Sequence, residues 1–460
     1  MRHVRTLALL LVIAAMLLPA GTSIAQEEIQ LVIWGEGFTV RCANSPDDPE
    51  VCDNPYYTDL ISEMWSEMYP NVTLVWEEHG WDETLRQNLT TAVLGGVGPD
   101  VTVGENFIPS FAQIGALAPL DLPEEVRANL VPGTVMGATV GDELYGIAAF
   151  TGVFGLEVNA DVLRAAGIDP DTVDLSTWDK AAEVMAAVTE AGNGEFYGAT
   201  LLGSTGNPAA TLFRAAPYVH QMGADFCNRP VCDTPTLNDP RAVPVYEWFR
   251  TIQANTPPGL TFQGDEGYIY SQIYTGLTAM QTDGAWAIGR AQANNCADCR
   301  YYPLPYPVDG QRANVVVGNA MYSVLQGSQH REEAQALLEL LVSDPVQLAS
   351  FWALGRMPTT FSALQAVLDV ANGDTSSVPA FYFEEMERTE ADAIAFATTY
   401  SGFIDELLNG DVYILPQWAR EGSELNRLWD EMFTEILTSD APVEEILDEY
   451  QAQAEAILAE

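Results

Sequence analysis

Carboxylates, arginines and aromatic rings recur just beyond short apolar runs, where a folded chain can turn them toward a ligand. Trp34, Glu36 and Phe38 follow the run Gln30–Trp34. His79 and Trp81 follow Asn71–Trp76, and Glu105 and Asn106 follow Asp100–Val103. Carboxylates and amides hold paired hydroxyls, and rings cover apolar C–H faces or organic cations. Enzyme motifs are missing: the chain has no Gly-x-Ser-x-Gly, no His-Glu-x-x-His and no phosphate loop. Among 65 acidic residues any two can be called a catalytic pair, so a glycoside hydrolase site gains little support from them. His79, His220 and His330 lack ligand spacing and predict no metal site. No cofactor motif is found.

The elements that must position these residues alternate. Strands are expected at Gln30–Trp34, Asn71–Trp76 and Asp100–Val103, with helices at Tyr57–Met68 and Trp81–Leu94 between them. That order predicts a parallel sheet covered by helices. Phe38–Pro55 reads as a loop rich in Asp, Pro and Asn. Further strands are expected at Val153–Val158, Ala279–Met280 and, as a pair, Asn314–Val317 and Ala320–Leu325. From Ala380 onward the pattern is helical, ending in an amphipathic helix over Val443–Leu458. Trp65, Trp178, Trp248 and Trp429 sit at helical spacing or near helix starts and read as core.

Composition narrows the function classes. The chain has 460 residues, enough for two or three domains, and is 48% hydrophobic, which supplies a large core. Nineteen basic against 65 acidic residues give a net charge of −46. Such a chain is repelled by nucleic acid and by anionic lipid. Arg2, His3 and Arg5 precede an apolar stretch Leu7–Leu18, and Ser23-Ile24-Ala25 offers a cleavage site. Residues 1–25 are therefore expected to be a signal peptide, and the mature chain to be exported. Six cysteines in three local pairs then read as disulfides: Cys42–Cys52, Cys227–Cys232 and Cys296–Cys299. A redox role for Cys296-Ala-Asp-Cys299 is less favoured, because the pair precedes a strand rather than opening a helix.

Several local patterns fall in one order: Gly98-Pro99-Asp100-Val101, Ala112–Leu120, Asp142–Ile147, Val158–Leu163, Ser176–Asp179, Gly276–Met280 running into Asp283-Gly284-Ala285-Trp286, Pro303-Leu304-Pro305 and Gly355-Arg356-Met357-Pro358. In this order the chain resembles the extracellular solute-binding proteins of ABC importers, in the group of maltose- and maltodextrin-binding proteins, over nearly all of its mature length. The resemblance implies an α/β, two-lobed periplasmic-binding-protein-like fold of type II, with the ligand cleft between lobes and a membrane permease as partner of a monomer. The expected N-terminal lobe is 26–147 plus 308–344, and the C-terminal lobe 148–307 plus 345–460. The Cys42–Cys52 insertion, the Cys227–Cys232 loop and the stretch Ala380–Trp418 depart from the family pattern and bear on the ligand or its access.

The rule that ligands sit beyond the carboxyl ends of strands selects Trp34, Glu36, Phe38, His79, Trp81, Glu105 and Asn106. From the second lobe come Phe150, Thr151, Asn207, Arg214, Arg356 and Trp418, and Gly318 and Asn319 follow a strand expected to return to the cleft. Trp286 matches the family position for a ring stacked on the ligand. For each a plain alternative stands: Trp34 as core, Glu36 and Glu105 as solvated surface, Arg214 and Arg356 as salt bridges between lobes. Ring faces and paired acceptors suit a sugar or oligosaccharide. A polyamine or betaine held by Glu36, Glu78 and Glu105 is the competing ligand.

Overall fold

β1 (Ile29–Trp34), β2 (Val72–Glu77) and β3 (Val101–Gly104) form a parallel sheet in the order β2-β1-β3. Parallel neighbours need crossovers, and the helices Tyr56–Met68 and Asp82–Gly95 provide them. The structure is a computed structural model describing residues 28–459, apart from 49–50, 53, 106, 204–207, 230–231, 297, 309–314, 411, 416–417 and 419–420. The expected signal peptide, Asn106 and Asn207 lie outside the described residues.

The other strands are β4 (Thr139–Val140), β5 (Glu143–Leu144), β6 (Ile147–Asn159), β7 (Tyr197–Thr200), β8 (Thr278–Gly284), β9 (Cys299–Tyr302), β10 (Val315–Val324) and β11 (Val412–Tyr413). β6 joins two sheet regions. Its first half pairs antiparallel with β10, which in turn pairs with β3; its second half pairs with β8 and β9. Twelve of its thirteen residues are buried, as expected for a strand covered on both faces.

The apolar residues gather into separate cores. One surrounds β1–β3 and includes Leu31, Ile33, Trp65 and Leu337. A second surrounds β8 and the second half of β6, and takes in Trp178, Trp248 and Trp429. These tryptophans are at most 7% exposed, which agrees with their reading as core. A third core, with Trp352, Leu364, Tyr400 and Phe403, belongs to the helices Asp344–Leu354, Phe361–Ala371 and Glu390–Asn409.

Two local expectations are corrected. Residues 37–44 form a helix rather than a loop, because the Glu36 carboxylate accepts from the Phe38 and Thr39 amides and so caps it, while Val40 and Cys42 supply its buried face. The expected strand pair before Leu325 is one strand, β10. Gly318 and Asn319 continue it by pairing with Gly152 and Thr151, and a register shift at Ala320/Met321 absorbs the irregularity. Disulfides join Cys42 to Cys52, Cys227 to Cys232 and Cys296 to Cys299. Among the described residues no single helix is long and apolar enough to cross a membrane.

Candidate functional site

A cavity of about 1220 Å³ opens between the cores, large enough for a ligand of several rings. The turn after β1 and the Gly355-Arg356 turn build its first wall. Glu36 accepts from the Phe38 amide at 3.1 Å, from both the amide and the hydroxyl of Thr39 at 3.1 Å, and from Arg356 Nη2 at 2.8 Å. Three of these donors converge on Oε2 and one reaches Oε1, so the carboxylate is held from both its oxygens. Burial pushes the Glu36 carboxyl up, but the Arg356 guanidinium and the hydrogen bonds outweigh it and hold the group below the usual carboxylate range. Arg356 also lies over the rings of Phe150, at 4.2 Å, and Phe38, at 5.6 Å.

Trp286 supplies a half-buried ring on the opposing side. It follows β8 by two residues, and its indole lies over Gly152 and Gly284. A Cβ at either position would meet the ring at 2.4 and 2.2 Å. Phe213 stacks parallel to it with centroids 5.7 Å apart, and Phe154 meets it edge-on at 5.2 Å. These contacts set the ring's orientation before any ligand arrives.

Arg214, on the helix Pro208–Gln221, anchors the second wall. It donates to the Ala210 carbonyl at 3.1 Å, pairs with Glu266 at 3.3 Å and Asp283 at 3.5 Å, and lies 4.1 Å over the Tyr270 ring. Among the described residues its buried Nε has no hydrogen-bond partner. Arg290 pairs with the other oxygen of Asp283. Beneath this wall, Glu157 accepts from Gln281 at 2.7 Å and from the Tyr301 hydroxyl at 3.0 Å. Burial, reinforced by the nearby Asp283 charge, raises its carboxyl to about 7.

Between the walls, Thr151 donates to Asn319 Oδ1 at 2.6 Å and Asn319 donates to the Gly133 carbonyl at 3.2 Å, a hydrogen-bonded floor where β6 meets β10. Away from the lining, the Ser423 hydroxyl donates to Glu83 at 2.7 Å, tying the helix Gly422–Thr438 of the second core to the helix Asp82–Gly95 of the first.

Among the described lining residues, Glu36, Glu78, Glu105, Glu266 and Asp392 face Arg214, Arg290, Arg356 and Arg388. Five acids against four bases leave the cleft one negative charge, in a chain whose net charge is −46.

The structure gathers Glu36, Phe38, Trp81, Glu105, Phe150, Thr151, Arg214, Trp286, Asn319 and Arg356 around this cavity. Other expected positions lie elsewhere. Trp34 is 6% exposed; its indole donates to Glu77 at 3.0 Å and stacks on His79 at 3.7 Å, so both rings belong to the packing behind the wall. His79 is held there by its own contact with Glu77, at 3.0 Å. Gly318 serves as a strand residue of β10. Trp418 is 7% exposed in the second core, with its indole donating to Asn426 at 3.2 Å. Sequence reasoning missed Phe213, Glu266, Arg290, Trp352, Tyr382 and Met386. Phe213 and Glu266 carry a weak signal as neighbours of Arg214 and of a helix start; the others carry none.

Residues 53–348 match the bacterial extracellular solute-binding protein family. The chain belongs to this family. It is 23% identical over 294 residues to a binding protein of Brucella abortus (strain 2308), covering 62% of this chain and 68% of the relative. Its fold is similar to the GacH receptor of Streptomyces glaucescens, solved unliganded and with acarbose, with a TM-score of 0.70 at 19% identity over 95% of this chain and all of that one. It is also similar to maltose-bound T. maritima MalE3, with a TM-score of 0.69 at 18% identity over 93% of this chain and all of that one. Members of this solute-binding family are extracellular binding proteins, and the two-lobed α/β architecture fits that role.

Proposed function

We propose that this solute-binding protein captures a neutral sugar or oligosaccharide between its lobes and delivers it to an ABC-type permease. The observation that carries the reading is the cleft's charge balance around a fixed indole. A strongly acidic protein has spent four of its few arginines on neutralising the cleft, which suits an uncharged ligand with apolar ring faces and hydroxyl edges. A polyamine gains less there, because the carboxylates it needs are already paired; Glu36 is the clearest case. The ligands of the GacH receptor and of MalE3, acarbose and maltose, are in keeping with a carbohydrate.

Catalysis of glycoside cleavage is not part of the reading. A general acid needs a raised carboxyl. Glu36 is held low, and Glu157 is raised but sits beneath the wall, in contact with Gln281 and Tyr301. The function we infer is capture by closure: the ligand bridges both walls and so favours the closed form. The protein acts outside the cytoplasm, after export, as a monomer.

A thermal-shift screen of refolded, ligand-stripped protein tests this. Mono-, di- and oligosaccharides, polyamines, betaines and amino acids form the panel. A melting point that rises with the concentration of one sugar class is the expected result. A shift with polyamines or betaines alone would replace the ligand, and a sugar recovered cleaved after long incubation would restore the hydrolase.

A further inference from the structure

Arg214 has a second side. It lines the cleft, and it also lines a small cavity of about 20 Å³ behind the second wall. Leu156, Phe249 and Met280 give that cavity apolar surfaces. Three threonines in its lining are satisfied by protein. The Thr200 hydroxyl pairs with Thr278 at 2.7 Å, Thr211 donates to the Gly203 carbonyl at 2.8 Å, and Thr282 pairs with the Tyr218 hydroxyl at 2.6 Å. The other polar side chains of the lining each leave one atom over. Arg214 Nε, the Tyr270 hydroxyl and Gln281 Oε1 are buried and have no hydrogen-bond partner among the described residues.

These side chains are already held by their other contacts. Arg214 commits its remaining nitrogens to the Ala210 carbonyl, Glu266 and Asp283, and its guanidinium lies over the Tyr270 ring. The Gln281 amide nitrogen donates to Glu157 at 2.7 Å, which sets the orientation of the amide and leaves Oε1 on the other side. Tyr270 and Gln281 are each 2% exposed, so bulk solvent does not serve them. Native proteins rarely leave a buried polar atom unpaired, and three such atoms around one cavity point to a shared partner.

The chemistry of the three atoms defines that partner. Arg214 Nε–H only donates, so the occupant must accept, and the guanidinium charge repels a cation. Gln281 Oε1 only accepts, so the occupant must also donate, which a halide cannot do. The Tyr270 hydroxyl can do either. A water needs roughly 10–15 Å³ of such space, so the cavity admits one and nothing larger. We propose that it binds a single water molecule, which accepts from Arg214 Nε, donates to Gln281 Oε1 and takes the Tyr270 hydroxyl as its third partner. The water joins a guanidinium of the cleft lining to the Gln281–Glu157 pair. The second wall is thereby held from behind as well as by its carboxylates, whatever the cleft binds.

A crystal structure of the full mature wild-type chain, at a resolution that shows ordered water, tests the site directly. The expected result is a solvent peak within roughly 2.6–3.2 Å of all three atoms. A cavity without density, an anomalous signal that marks a halide, or side chains turned onto protein partners would each overturn the proposal. Deuterium relaxation dispersion tests it in solution, by counting waters held long enough to tumble with the protein. Ala199 lines the cavity, and Ala199→Val adds two methyl groups there, so this variant should lose one long-lived water relative to wild type. Tyr270→Phe keeps the ring beneath Arg214 and removes one partner, so it should shorten the residence of that water several-fold. Wild-type dispersion in either variant, once shown to be folded, overturns the site.

Discussion

The two walls of the cleft use arginine in opposite ways. On the first, one guanidinium meets one carboxylate: Arg356 holds Glu36, whose two oxygens also accept from the helix it caps. On the second, Arg214 and Arg290 share Asp283, and Glu266 stands 3.3 Å from Arg214. The first wall is closed on itself and acts as scaffold. The second shares its charge among four groups, so no single pair fixes it, and it lines the same cavity as the Trp286 ring. A charged residue beside a cleft is therefore not by its presence a ligand contact; its existing partners decide what it has left to offer.

The sharpest way to break this contrast is Arg356→Met. It leaves the Glu36 carboxylate, 21% exposed, without its cation, and should cost roughly 3–5 kcal/mol of stability in chemical denaturation. Adding Glu36→Gln should recover much of that loss, because the stranded charge is gone. A mild effect of Arg356→Met would mean that the first wall is as loosely committed as the second.

Beneath the second wall the expected signature is a pH dependence. Glu157 has its folded carboxyl raised to about 7 by burial, with Asp283 adding to it. The native state therefore binds more protons than the unfolded chain between the ordinary carboxylate range and about 7, and stability falls as pH rises through that window. Glu157→Gln should remove the fall and leave the variant roughly 2–3 kcal/mol more stable than wild type at pH 8. Melting curves at pH 5 and pH 8 measure it; parallel losses in both proteins would assign the pH dependence to another group.

For the ligand, Trp286→Ala should weaken sugar binding by about 1–3 kcal/mol through the lost ring face and its burial. Gly284→Ala should weaken it in the same direction with the indole still present, since the new Cβ would stand 2.2 Å from the ring. Calorimetric affinities that match wild type would put the ligand elsewhere in the cleft. The smallest effect belongs to the contact that ties the first core to the second. Ser423→Ala removes the hydrogen bond to Glu83 and should loosen ligand-induced closure by about 0.5–1.5 kcal/mol, read from the change in scattering radius on titration.

Much of this was legible in sequence for a physical reason. Strand ends deliver their following residues to one edge of a sheet, so Glu36, Phe38, Trp81 and Glu105 could be placed from the pattern of apolar runs alone. Trp286 and Arg356 needed the resemblance, since nothing in their spacing points at a cleft. What sequence order could not show was which polar groups consume one another. Trp34 ends its strand in the right place, but its indole is taken by Glu77 and His79. Tyr382 and Met386 reach the site only through packing of a third core distant in sequence, and Phe213 on an amphipathic helix has the periodicity of an ordinary core residue.

The most direct test of the central claim is titration of the refolded protein with neutral oligosaccharides and with spermidine, each at low and at high salt. A charge-balanced cleft built around Trp286 predicts saturable binding of an oligosaccharide with an affinity that salt leaves unchanged. Tighter binding of spermidine, weakening as salt is raised, would contradict the account.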